Sequence, residues 1–367
     1  MITKEQIRAA LAHVRYPGSG QDIVSNGMLQ DDIQIEGNAV SFSLRFTRER
    51  DPFEKSVVKA AEKAIATYVG EDVLIEGRIQ SLFPEPKKKK EHYLSSVKNI
   101  VAVFSGKGGV GKSTVTANLA VALSLQGYKV GILDADIYGP SMPKMFAVED
   151  AKPVAIQLED GSEAIEPVNA YNDIKLLSIG FFTDPSQALV WRGSMAGNAL
   201  SQLLLQGYWG ELDYLLIDMP PGTSDIHLTL VQSVGITGSV IVTTPQEIAL
   251  VDARKAIDMF VNEKIHVPVL GLVENMAWFT PAELPENRYY IFGKEGGVRL
   301  AEELHIPLLA RLPLVQSVCE GGDNGLPVAA YPDSILGAYF SELASNVVLQ
   351  VKIRNEQEPP TQKVEVH

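Results

Sequence analysis

From Ile100 onward the apolar residues come in short, nearly unbroken runs: IVAVFS, KVGILD, IKLLSIG, DYLLID, GSVIVTT, VPVLGLVEN and PLLARLPL. Such runs predict strands buried on both faces, and hence a mainly parallel sheet flanked by helices. Right-handed crossovers then bring the C-terminal ends of the strands to one edge, where a ligand is expected. The fold class read from this pattern is α/β.

The first 82 residues carry a different rhythm. Ile7, Leu11 and Val14 recur at helical spacing, and Ile33 to Ile35 and Ala39 to Phe46 alternate around the turn residues Gly37 and Asn38. A second helix is predicted from about Pro52 to Val69, then a short strand from Val73 to Gly77. These elements describe a small α+β domain over residues 1–82. Residues 83–96 include PEPKKKKEHYLSS, a charged, proline-flanked linker without periodicity. The α/β domain takes 97–350, and the polar stretch 351–367, with Pro359 and Pro360, is expected to be a mobile tail.

Composition narrows the function. A chain of 367 residues exceeds one ordinary core, in keeping with two domains. A net charge of −13 argues against a general nucleic-acid surface, because phosphate backbones are held by clustered Lys and Arg. The N-terminal MITKEQIRAALAHV has no signal-peptide core, and no apolar run approaches a membrane span, so a soluble cytoplasmic protein without membrane partners is expected. The one cysteine, Cys319, leaves no internal disulfide and no CxxC metal site within a chain.

The strongest chemical signal is GKGGVGKST, comprising Gly106, Lys107, Gly108, Gly109, Val110, Gly111, Lys112, Ser113 and Thr114. It satisfies GxxxxGK[ST] between a strand and an Ala/Leu-rich helix, the setting of a P-loop. Glycines let backbone N–H groups close around phosphates, and the following helix adds its positive dipole end. Lys112 is expected to bridge the β and γ phosphates of ATP, Ser113 to ligate Mg²⁺ and Thr114 to sit nearer the α phosphate. Lys107, beside the first glycine, is placed to reach a nucleotide held by a facing subunit and to neutralise transition-state charge there.

Two acidic strand ends complete the set. KVGILDADIYGPS ends a strand at Asp134 and offers Asp136 to orient the attacking water. DYLLIDMPPGTSD ends another at Asp218, suited to Mg²⁺, with Asp134 and Ser113 as its companions around the metal. Gly222 can present a backbone N–H to the γ phosphate. With the two prolines before it stiffening that approach, ProProGlyThr is a candidate switch; none of the six histidines shows ligand spacing, and His227 lies nearest this segment.

With Lys107, DADIYGPS and DMPPGTSD together, the chain resembles the deviant Walker A ATPases, the MinD/ParA-like superfamily, and within them the Mrp/ApbC-type iron–sulfur cluster carriers. The likeness spans most of residues 97–345 and is supported by WRGSM, VTTPQEIALVDARKAIDMF, GLVENM, IFGKEGG and GGDNGLPV. The N-terminal unit, with YPGSGQDIVSNGML, is similar to the MIP18-type domain. The resemblance implies a homodimer that hydrolyses ATP and serves iron–sulfur apoproteins or assembly proteins. It makes Lys107 the signature lysine, Asp136 the switch I carboxylate, Asp218 the Walker B residue and Asn275 the adenine contact.

The sequence departs from the resemblance at two places, and at one of them the usual cysteine of the MIP18-type domain is absent, its place taken by TRERDPFEKS. Where members follow ENM with a CxxC pair for a bridging iron–sulfur cluster, this chain reads ENMAWFTPAELPENRYYIFG. Cys319, whose neighbours LVQSV suggest a partly buried helix start, can contribute one thiolate per subunit. The alternative reading is therefore an ATP-dependent scaffold or chaperone without direct cluster binding. A partition ATPase on DNA or membrane shares the P-loop, but ELASNVVLQVKIRNEQ is not a strongly basic amphipathic helix.

Overall fold

A computed structural model describes residues 2–48, 51–83, 94–158, 161–182, 193–223, 225–262, 265–281, 283–284 and 286–361. The chain divides into two compact units, Met1–Glu91 and His92–His367. Most of the expected linker, the end of the expected tail and the Trp191–Arg192 pair of WRGSM lie outside the described residues.

The N-terminal unit contains α1 (Lys4–Leu11), β1 (Gln34–Glu36), β2 (Ala39–Arg45), α2 (Glu54–Tyr68) and β3 (Ile79–Leu82). Thr3 and Gln6 form a reciprocal capping box at the start of α1. The strands order β1-β2-β3, with β1 antiparallel and β3 parallel to β2. The strand expected at Val73–Gly77 is not a ladder strand. Only Leu74 bridges, to Ala39, and the paired strand comes later, at Ile79–Leu82. Val73 and Ile75 are buried on either side of exposed Leu74, so their alternation is satisfied by the core without a ladder.

The second unit is built on an eight-stranded sheet. Its elements in chain order are β4 (Val97–Phe104), α3 (Lys112–Leu125), β5 (Val130–Asp134), α4 (Met142–Met145), β6 (Val154–Gln157), β7 (Glu163–Glu166), β8 (Val168–Asn169) and β9 (Lys175–Ser178). Then follow α5 (Gly193–Gln206), β10 (Leu212–Asp218), α6 (Asp225–Ser233), β11 (Gly238–Thr243), α7 (Glu247–Val261), β12 (Val269–Glu274), α8 (Gly296–Glu303), β13 (Leu308–Arg311), α9 (Gln316–Asp323) and α10 (Ile335–Gln357). The sheet order is β13-β12-β11-β4-β10-β5-β9-β8, parallel throughout except for the β8–β9 edge pair. β6 and β7 form a separate antiparallel hairpin.

One strand shows why the apolar runs had to be continuous. Val101 and Val103 of β4 join the core beneath α3 and α10, while Ile100, Ala102 and Phe104 join the core beneath α5, α6 and α7. Both faces are covered, so neither set can be polar. Helix α3 is buried nearly all round, which suits a helix wedged between the sheet and α10.

Helix α10 runs seven residues past the expected domain end at 350, so Val351–Gln357 are helical rather than tail. The side chains from Lys352 to Gln357 are helix-compatible, and the helix stops at Glu358, the residue before Pro359. Among the described residues no helix is long and apolar enough to cross a membrane.

Candidate nucleotide site

The site lies at the C-terminal ends of β4, β10 and β5. In register, Asp218 of β10 stands beside Val103 of β4 on one side and Asp134 of β5 on the other. The expected cluster of strand-end carboxylates thus follows from sheet pairing.

The loop Gly106–Gly111 joins β4 to α3. Gly109 and Gly111 have φ near +81° and +82°, the left-handed region that glycine enters without penalty. A Cβ on Gly111 would lie 2.3 Å from Asn275 Nδ2, and on Gly106 it would lie 2.1 Å from the Asp252 carbonyl oxygen of α7. Gly106 is therefore required for the close approach of α7, a packing reason beyond the phosphate cradle read from sequence. On the open side, Gly109 has nothing within 4 Å of the Cβ position and Gly108 only Pro221 Cβ at 3.9 Å.

Lys112 heads α3 with its ammonium buried, 2.8 Å from Asp218 Oδ1 and 3.9 Å from Asp136 Oδ2. Ser113 Oγ donates to Asp218 Oδ2 at 2.6 Å. Thr116 Oγ1 lies 2.8 Å from Asp218 Oδ1 and 3.0 Å from the Lys112 carbonyl, one turn back. Asp218 is wholly buried and is matched by these groups, as a buried charge must be.

Asp134 is also wholly buried, but its oxygens face the following loop. They accept from Ser178 Oγ at 2.9 Å, from the backbone N–H of Ser141 and Met142 at 3.1 Å each, and from that of Asp136 at 3.2 Å. With both oxygens engaged there, Asp134 anchors the loop that carries Asp136, instead of joining Ser113 as was expected. Burial, reinforced by the neighbouring Asp218 charge, pushes the Asp134 carboxyl up to about 7. Burial likewise raises Asp136, with Lys112 pulling the other way. Asp136 Oδ1 accepts from the Tyr138 N–H at 3.2 Å.

Lys107 differs from Lys112. Ser105 Oγ donates to its backbone carbonyl at 2.9 Å, yet Lys107 is half-buried as a residue and its ammonium has no partner among the described residues. Val110 is buried, and its carbonyl accepts from Asn275 Nδ2 at 2.8 Å. Asn275, assigned to adenine by resemblance, thus braces the loop. Thr114 is half-buried, with its carbonyl held by Asn118 Nδ2 at 2.8 Å. The Gly222 N–H, read as a γ-phosphate donor, here donates to the Ser105 carbonyl at 3.0 Å.

Three supporting residues escaped the sequence reading: Thr116, Ser178 and Ser105. Thr116 was the most legible, since a threonine one turn into a P-loop helix faces the strand end. Ser178 depends on the β5–β9 pairing, which no local pattern reveals. His227 is buried, with Nε2 2.9 Å from the Pro220 carbonyl, so it braces the ProProGly turn.

The donor set fits Mg²⁺ and nucleotide. A serine hydroxyl and a carboxylate meet at 2.6 Å, and two carboxylates, Asp218 and Asp136, share one ammonium, an excess of negative charge that a divalent cation offsets. It does not fit a thiolate-held cluster. Among the described residues no three His, Cys, Asp or Glu side chains converge on a metal. Cys319, expected at a partly buried helix start, is exposed on α9, with Sγ 3.7 Å from Asp323 Oδ2. Asp323, then burial, raises the thiol above its ordinary value, with Glu320 adding to it. The stretch after Asn275 is closed by protein contacts instead. Phe279 and Tyr289 exchange backbone hydrogen bonds at 2.8 Å, and the Arg288 guanidinium lies 4.4 Å from the centre of the Trp278 ring.

Residues 96–348 match the family described as NUBPL iron-transfer P-loop NTPase, and residues 4–76 the family described as iron-sulfur cluster assembly protein. The iron-sulfur cluster carrier protein of Synechocystis sp. is 42% identical over 355 residues, covering 96% of this chain and 99% of its own length. Its counterpart in Escherichia coli is 47% identical over 269 residues, covering 73% and 71%. Among solved structures, the nucleotide-binding protein of Archaeoglobus fulgidus in complex with ADP matches with a TM-score of 0.55 and 40% identity, over 64% of this chain and 88% of that one. The cell division ATPase MinD of Pyrococcus furiosus matches with a TM-score of 0.50 and 26% identity, over 69% and 99%.

Proposed function

Because the chain belongs to the NUBPL-type iron-transfer P-loop NTPase family, we propose that it is a cytoplasmic homodimer that binds and hydrolyses ATP to serve iron–sulfur cluster assembly on client apoproteins. The observation that carries this reading is the contrast between the loop's two lysines. Lys112 is committed to its own subunit's carboxylates, while Lys107 has no partner among the described residues.

When nucleotide enters, its phosphates compete with Asp218 for Lys112, which bridges them and releases part of the buried ion pair. Ser113 and Asp218 would hold Mg²⁺, which supplies neutralising charge on the phosphates. Asp136, kept in place by the Asp134-anchored loop, orients the attacking water. Lys107 extends to the nucleotide of the second subunit and offsets charge that develops as the terminal phosphate departs. Hydrolysis then depends on subunit closure, so ATP acts as a switch between partner-bound and released forms. Once the loop opens, Asn275 and Gly222 can exchange their present carbonyl partners for adenine and phosphate.

The test is Lys107→Ala. ATP affinity measured by calorimetry should stay within about threefold, while turnover should fall by about 10³ or more, the size of effect seen for charge-neutralising fingers. Turnover near wild type in that variant rejects the reading.

The lone exposed cysteine favours a second reading for the cargo step: the chain gates assembly without holding a cluster on its own thiolates. After anaerobic purification, iron and acid-labile sulfide should be absent from wild type and Cys319→Ser alike. A stable cluster that is lost in Cys319→Ser would restore direct carriage.

A further inference from the structure

The N-terminal unit contains a cleft that the ATPase reading leaves unused. Its volume is about 660 Å³, within the range of ligand-binding clefts. One wall is the α2 face carrying Lys59, Glu62, Lys63 and Ala66, and the other is the segment Val73–Arg78. The floor is apolar, and Leu74 remains 60% exposed, an uncommon state for a residue pinned by its backbone on both sides. Its N–H donates to the Asn38 carbonyl at 2.8 Å and its carbonyl accepts from the Val40 N–H at 3.0 Å, so the exposed side chain is held in place.

The charges are arranged unequally. Glu62 is already used, with Oε1 accepting from the Gly77 N–H at 3.1 Å. Lys59, Lys63 and Arg78 line the cleft with no ion pair among the described residues. Glu76 is the second lining carboxylate, so three unpaired cations face two acids and leave the cleft net positive, a local exception in a chain of net charge −13. Their spacing adds a constraint. Lys59 and Lys63 stand one helical turn apart, about 6 Å along α2. Side chains two residues apart on an extended strand repeat at about 6.6 Å. A peptide reading acid–apolar–acid therefore presents two carboxylates to the two lysines and its middle side chain to Leu74.

We propose that this cleft is a docking site for an extended acidic segment of a partner protein, with carboxylates at alternate positions around a large apolar residue. Specificity comes from the Lys59–Lys63 spacing, and affinity from covering Leu74 and Ala66 while matching unpaired cations. The site is distinct from the nucleotide loop, so docking and ATP turnover can be measured separately.

The experiment uses the full chain and a fluorescein-labelled peptide of alternating Asp and Leu, read by fluorescence anisotropy. Wild type should bind it, with affinity falling as salt rises, and a peptide of alternating Lys and Leu should not bind. Lys59→Glu combined with Lys63→Glu, and separately Leu74→Asp, should each weaken binding at least tenfold while leaving ATP turnover and thermal midpoint unchanged, because all three side chains are exposed. No binding by wild type, equal binding by the variants, or full competition by succinate overturns the proposal; the last would make the cleft a small-anion site.

Discussion

Lys112 and Cys319 show how neighbours decide what a residue can do. The lysine's ammonium is buried yet satisfied, because Asp218 lies 2.8 Å away with Ser113 and Thr116 completing its shell. Both the ion pair and its solvating hydroxyls come from the C-terminal edge of the sheet and the first turn of one helix. Cys319 has the reverse setting: an acid one helical turn away disfavours the thiolate. At pH 8 its alkylation by iodoacetamide should be slower than that of a free cysteine, because a raised thiol leaves less thiolate. Asp323→Asn should speed it severalfold by lowering the thiol back toward its ordinary value. Mass spectrometry reads this without ambiguity because the chain has only one thiol. An unchanged rate would show that Asp323 does not control the thiol.

At the scale of elements, the phosphate loop is gripped from outside. Helix α7 passes so close that Gly106 has no room for a methyl group, and Asn275, just past β12, ties down Val110. Gly106→Ala forces the loop and α7 apart. Overpacking of this kind costs about 1–3 kcal/mol. The variant should lose that much stability in urea unfolding and also weaken ATP binding, because the loop itself must move. Loss of stability with full ATP affinity would separate the α7 contact from the cradle.

Other element-level features were legible to different degrees. GKGGVGKST could be placed on a strand-loop-helix unit because its neighbours on both sides are strongly patterned. The strand at Val73–Gly77 misled because Val73 and Ile75 alternate as a strand does, while their backbone pairs only through Leu74. The end of α10 was missed because charged helix formers after Val351 look like tail composition, and only the continuing helix shows otherwise.

For the whole molecule, the proposed lysine exchange requires two copies. Mg·ATP should double the mass observed by light scattering or sedimentation relative to the nucleotide-free chain, or tighten a dimer already present. A chain that stays at one subunit's mass in saturating Mg·ATP would leave Lys107 without a nucleotide to reach. Dimerisation also bears on cargo. Two subunits bring two thiolates, both exposed and both beside carboxylates, fewer than the four that ordinarily hold a cluster.

What the sequence alone determined is the part written in contiguous residues: the parallel α/β layering, the glycine-rich loop between strand and helix, the positions of Asp218 at a strand end and Asp136 just past one, and the scarcity of thiols. Continuous apolar runs and a glycine-rich loop have few alternative folds, so local pattern was sufficient. Tertiary structure decided which partners those residues meet. Asp134 and Asp218 have the same strand-end signature, yet sheet order gives one Lys112 and Ser113 and gives the other Ser178 and the loop ahead of α4. That division arises from contacts across distant segments, where hydrogen bonds and buried charge are settled by which strands lie side by side.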